Sequence, residues 1–206
     1  MWGQSVNCRA RSVALSGEEV MRASLMLALL TCVAPWALAH AASVDNGPMT
    51  DDQVIASAQS AAPAAVAKDA EIVAFDAQGT MRTIRKGTNG FTCMPDVPES
   101  PGPDPMCVDK GGMAWAMAWA GHKDPPKGVI GVGYMLMGGS DPDNMDPFAT
   151  KPSAGMDWVT TGPHLMLFNV GDLVKDYPTA EQPDTSKPYV MYPNTVYAHI
   201  MVPVKP

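Results

Sequence analysis

The stretch EIVAFDAQGTMRTIRK, residues 71–86, decides how this chain folds. Successive residues of an extended strand point to opposite sides. Ile72 and Ala74 therefore share one side, and Val73 and Phe75 share the other. Ala77, Gln78 and Gly79 suit a tight turn. Beyond the turn, Thr80 to Lys86 alternates β-branched with charged residues, the pattern of a returning strand with one wet face. The stretch predicts a hairpin, and with it a sheet that is mainly antiparallel.

Upstream, the apolar period lengthens to that of a helix. Thr50 is placed to cap it, with Asp51 and Asp52 in the first turn. Val54, Ile55, Ala58 and Ala62 form its apolar stripe. Pro63 either ends this helix or opens a second short one through Ala67. Residues 40–50 are small and polar and are expected to be loosely held.

Downstream, Gly87 to Gly90 makes a turn, and Phe91 to Cys93 a short third strand. A second helix is expected from Asp109, its cap, to Ala120, with Gly121 as its stop. Its interior, MAWAMAWA at residues 113–120, is apolar all round, which predicts burial on every side. Trp115 and Trp119 lie four apart and stack on one face, a core feature or the wall of an aromatic groove. A strand is expected within residues 129–137, then a long loop from Gly138 to about Met156. Strands at 164–170 and 197–204 close the domain, separated by a short turn or helix near residues 172–175 and a polar linker with Pro178, Pro183 and Pro188. The predicted class is α+β: a mainly antiparallel sheet, an N-terminal helix and one buried helix rich in Trp and Met.

The first part of the 206-residue chain reads differently. Residues 21–41 have the order of a secretory signal peptide: Arg22, an apolar centre from Leu25 to Leu30, a break at Pro35, then small residues. The apolar run is too short for a membrane anchor. Leu29-Leu30-Thr31-Cys32 lacks the small residue that lipid attachment requires before cysteine. Residues 1–20 are polar and unpatterned, and Met21 reads as the true start, which makes residues 1–20 a mis-assigned extension. Residues 42–206 are then a single exported domain, periplasmic or extracellular. Without residues 1–39 the chain carries 11 basic and 19 acidic side chains. That balance disfavours nucleic acid and anionic membrane surfaces, which recruit Lys and Arg patches.

After cleavage two cysteines remain, Cys93 and Cys107. In an oxidising compartment such a pair is expected to form a disulfide. The intervening Met94 to Met106 carries five prolines and can be neither helix nor central strand. The spacing is far from that of redox-active pairs, so a structural staple is expected.

Two late segments share a pattern: His164-Leu165-Met166 and His199-Ile200-Met201. In strands, His164 and Met166 share a face, as do His199 and Met201. If the strands pair, two imidazoles and two thioethers converge, a donor set suited to copper. The bland alternative is that Met fills core gaps and His sits at strand entrances. Cleavage after Ala39 would add His40 as a terminal copper chelator. The acidic run from Gly139 to Asp146 lacks the alternating carboxylates of a calcium loop and reads as a turn. Sequence signatures of catalysis are missing, although Ser or Asp can meet His122, His164 or His199 in space.

The stretches RKGTNGFTC (85–93), GYMLMGGSD (133–141), GPHLM (162–166) and YAHIMVP (197–203) resemble those of exported bacterial proteins of unknown function. The resemblance implies a periplasmic or secreted setting and carries no activity with it. The leading expectation is a small exported binding or structural domain with no cofactor. A periplasmic copper-binding protein using His164, Met166, His199 and Met201 is the alternative, and a hydrolase with a spatially assembled site is the second.

Overall fold

A computed structural model describes residues 49–76 and 78–204. The expected N-terminal extension, signal peptide and His40 lie outside the described residues.

Helix α1 (Asp51–Ser60) begins where expected. The Thr50 hydroxyl accepts the Gln53 N–H, and the Gln53 side chain accepts the Thr50 N–H in return. Pro63 opens a second helix, α2 (Ala64–Ala67). Strands β1 (Glu71–Phe75) and β2 (Met81–Arg85) form the hairpin. Strand β3 (Thr92–Met94) joins β1 in parallel, and β4 (Met106–Val108) returns antiparallel along β3. Helix α3 (Lys110–Ala120) follows, its first turn held by the Asp109 carboxylate accepting from Gly112 N–H. Strand β5 (Gly131–Met135), a small pair β6 (Gly139–Asp141) and β7 (Val159–Thr161), β8 (His164–Phe168), a 3₁₀ turn (Gly171–Asp176), β9 (Tyr189–Met191) and β10 (His199–Pro203) complete the order.

Eight strands make one sheet in the order β2-β1-β3-β4-β5-β8-β10-β9, antiparallel except for β1 against β3. Helices α1 and α2 cover one face. Val54, Ala58, Ala61, Ala67, Ile72 and Cys93 pack there, and the alanines let the helices approach closely. The opposite face holds the larger core of Val73, Val108, Trp115, Met166, Phe168, Tyr189 and Met201. Strand β1 thus sends Ile72 and Ala74 one way and Val73 the other, as its alternation requires. Strand β2 is an edge strand and stays wet.

Helix α3 lies on the larger core because glycine removes the side chains between helix and sheet. A Cβ on Gly131 would sit 2.1 Å from Gly112 N, and one on Gly111 would sit 2.1 Å from Ile130 O. Backbone meets backbone at this point.

Four expectations need correction. Helix α3 is not buried on all sides: Trp115 is buried, but Met117 and Trp119 are exposed. One helix face suffices to cover the sheet, and its other apolar residues remain at the surface. The long loop after Gly138 contains strand β6, and the polar linker before residue 197 contains β9. Neither shows in the sequence, because three-residue strands are too short to display a period. The ends of the proline-rich segment, Met94 and Met106, are strand residues of β3 and β4 inside the sheet, because the prolines all lie between them.

The cysteines stand directly opposite each other on β3 and β4, with sulfurs 2.06 Å apart and no exposure to solvent. No helix among the described residues is long and apolar enough to cross a membrane.

Candidate functional site

Strands β8 and β10 do pair, antiparallel, as the copper reading requires. Met166 stands opposite Met201, His164 opposite Pro203, and Phe168 opposite His199. All six face the larger core. The register therefore joins the two methionines but sets the two histidines at opposite ends of the ladder. Four residues of strand separate them, or roughly 13 Å along its axis. A single ion, bound at about 2 Å from each donor, does not span that gap with both rings. His164 and His199 thus head two separate environments.

His199 sits in an aromatic box. Trp115 lies 4.9 Å away, Phe168 5.2 Å and Tyr192 5.6 Å, centroid to centroid. Its Nδ1–H donates to Tyr197 O at 3.0 Å, which fixes the ring. Burial drives its pKa down to about 4, with the His164 charge adding to the effect and the Tyr197 carbonyl opposing it. His199 is a neutral core histidine at neutral pH.

His164 is fully buried and differently placed. Its Nδ1–H donates to Gly162 O at 2.7 Å, leaving the Nε2 lone pair to face the interior. That Nε2 has no hydrogen-bond partner. Burial lowers its pKa, against the raising effect of the Gly162 carbonyl. Opposite it on β5 stands Met135. A Cβ on Gly139 would meet Met135 Cε at 2.7 Å, and both Met135 Sδ and His164 Cε1 at 3.6 Å. Glycine at 139 leaves the space that the thioether and the imidazole edge occupy together. A Cβ on Gly133 would meet the Met166 Cε at 2.8 Å, Phe168 Cε2 at 3.1 Å and Val108 Cγ1 at 3.2 Å, so glycine there makes room for the Met166 methyl.

Two polar side-chain pairs tie β6 and β7 to β9 and the turn after it. Thr161 and Tyr189 share a hydroxyl–hydroxyl bond at 2.7 Å, and Tyr192 O–H donates to Asp141 Oδ1 at 3.1 Å. Burial raises Asp141 to about 6; the Tyr192 hydrogen bond opposes this and the Asp104 charge adds to it. Tyr192 holds φ +55°, a left-handed conformation that costs a bulky residue about 1–3 kcal/mol. Asn144 anchors the surrounding loop by donating to Ala180 O and Val190 O.

Met135, Tyr189 and Tyr192 escaped the sequence reading, and Asp141 entered it only as part of the acidic run read as a turn. Met135 alone left a signal, since it shares strand parity with Gly133. The others converge from loops and short strands far apart in the chain.

The hydrolase arrangement finds no such geometry among the described residues. His164 and His199 donate to backbone carbonyls, and His122 stacks on Phe148 at 4.0 Å. The acidic run is partly strand β6; beyond it, Asp143 accepts from Met145 and Asp146 N–H in a self-contained turn. Among the described residues, no three His, Cys, Asp or Glu side chains cluster so as to hold a metal ion. The Trp115 and Trp119 rings stack at 6.4 Å, and Trp119 Nε1–H is engaged by Pro147 O, so the pair forms a fixed wall and not an open slot.

No protein-family model, no curated protein and no solved structure matches this chain.

Proposed function

We propose that the chain is an exported, disulfide-stapled domain that acts by binding. One observation carries this: Cys93 and Cys107 face each other on adjacent strands, fully buried, and close the proline-rich loop between them. Disulfides of this structural kind persist in oxidising compartments. The acidic balance and the absence of a membrane-length helix among the described residues fit a periplasmic or secreted protein that binds neither nucleic acid nor lipid surface. Binding is favoured over catalysis because the two sheet histidines, His164 and His199, are buried and each donates its Nδ1–H to a backbone carbonyl.

Cell fractionation combined with thiol labelling tests the proposal. The expected result is a processed protein outside the cytoplasm whose two cysteines label only after reduction. A cytoplasmic protein with free thiols would refute it.

A further inference from the structure

The core beside His164 has the makings of a metal site that differs from the one the sequence suggests. We propose that His164 Nε2, with the thioethers of Met135 and Met166, holds one Cu(I) ion in the core. This deepens the binding reading by naming a ligand, and it rests on that reading only for the setting in which copper would be met.

The first support is the unpartnered nitrogen. Leaving a buried acceptor unpaired costs about 1–3 kcal/mol, and native cores rarely tolerate it without a reason. His164 Nε2 is such an acceptor, and it carries its lone pair because Nδ1–H is committed to Gly162 O. Histidine ligands characteristically donate the other ring N–H to a carbonyl in this way, which fixes tautomer and ring orientation.

The second support is what surrounds the nitrogen. Met135 stands across the β5–β8 ladder from His164, and Met166 lies two residues along β8 on the same face. Glycines at 139 and 133 clear the space that the ends of Met135 and Met166 occupy. Met201, opposite Met166, supplies a further thioether within the same layer.

The donor chemistry selects the ion. One imidazole with thioethers is a soft set, suited to Cu(I) at low coordination number. Zinc favours four nitrogen, sulfur-anion or carboxylate ligands, and Cu(II) favours several nitrogens or oxygens in a plane. Among the described residues no such set of His, Cys, Asp and Glu is available here. A monovalent ion also suffers a smaller desolvation penalty in the core than a divalent one. His199 takes no part, because the register holds it at the other end of the ladder.

The test uses purified, disulfide-intact protein, Cu(I) alone under anaerobic conditions, and a chromophoric Cu(I) chelator as competitor. The expected result is one equivalent withheld from the chelator, with sulfur and one nitrogen in the copper's shell by X-ray absorption. Met135→Leu and Met166→Leu keep apolar volume and remove the thioether, so both should fold and bind ~10-fold or more weakly. His199→Phe should leave affinity unchanged. The proposal is overturned if no copper is withheld from the chelator, if both Leu variants bind as tightly as the parent, or if copper's shell contains no sulfur. Loss of binding in His199→Phe with retention in Met135→Leu would also overturn it. Circular dichroism of each variant separates misfolding from ligand loss. Should Met135→Leu or Met166→Leu not fold, the absorption spectrum of the parent decides alone. Localisation plays no part in these measurements, so failure of the metal site and failure of the export proposal are told apart.

Discussion

Acid should unfold this domain through His199, and the size of the effect follows from the burial of the ring. The folded pKa is depressed from 6.5 to about 4. A depressed group contributes stability that is present above the unfolded pKa and is lost as pH falls toward the folded one. At one unit per about 1.4 kcal/mol, the full loss is roughly 3.4 kcal/mol, of which about 2.5 kcal/mol is spent between about pH 7.5 and pH 4.5. His199→Phe isolates the contribution. A phenyl ring keeps the packing against Trp115, Phe168 and Tyr192 and cannot titrate. It loses the bond to Tyr197 O, a pH-independent cost of about 1 kcal/mol. Urea unfolding of both proteins at the two pH values gives the difference directly. The parent should be the more stable near pH 7.5, and the variant should overtake it near pH 4.5. The carboxylates titrate in both proteins and cancel, whereas the His164 charge acts on His199 in the parent alone and is part of the shift being read. If the gap between parent and variant is the same at both pH values, the imidazole is not buried neutral and the reasoning fails.

Asp141 should act with the opposite sign. Its pKa is raised to about 6, so the ionised form costs stability as pH rises through that value. Asp141→Asn should therefore gain up to ~2 kcal/mol near pH 8, after allowance for the half-buried position, and nothing near pH 4; a gain independent of pH would count against the assignment. Replacing Cys93 and Cys107 by alanine should cost about 3 kcal/mol in urea unfolding, and a loss below about 1 kcal/mol would show that the loop is held by other means. Gly131→Ala should destabilise by about 3 kcal/mol or more, because its Cβ meets Gly112 backbone with no flexible side chain to yield; a thermal melt unchanged from the parent would rule out the close approach of α3. Thr50→Ala should cost about 1 kcal/mol through loss of the helix cap, read from the same melt.

Local chemistry explains what could be read in advance. The Thr50 cap, the Pro63 break, the β1–β2 hairpin and the Asp109 cap are all decided by residues within a few positions of one another. Strand parity also placed His164 with Met166 and His199 with Met201 correctly, and their strands do pair. Parity says nothing of register, however. A shift of two residues would have left every face unchanged while moving the histidines together or apart. The register that exists sets Met166 against Met201 and leaves His164 to Met135 on the other neighbouring strand. Short strands β6 and β9 went unseen for a related reason. Three residues hold no period, and their stability comes from the strands beside them.

The sequence by itself determined the helix caps, the alternation of β1, the soft donors along β8 and β10, and the cysteine pair available to close the proline loop. Tertiary structure alone decided that β5 lies beside β8, which brings Met135 to His164. It also decided that α3 buries only one side, and that His164 Nε2 ends in the core without a partner. The physical reason is one of range. Capping, turn formation and side-chain alternation act over a few residues, whereas strand neighbours and unsatisfied buried groups are fixed by closing contacts across the whole domain.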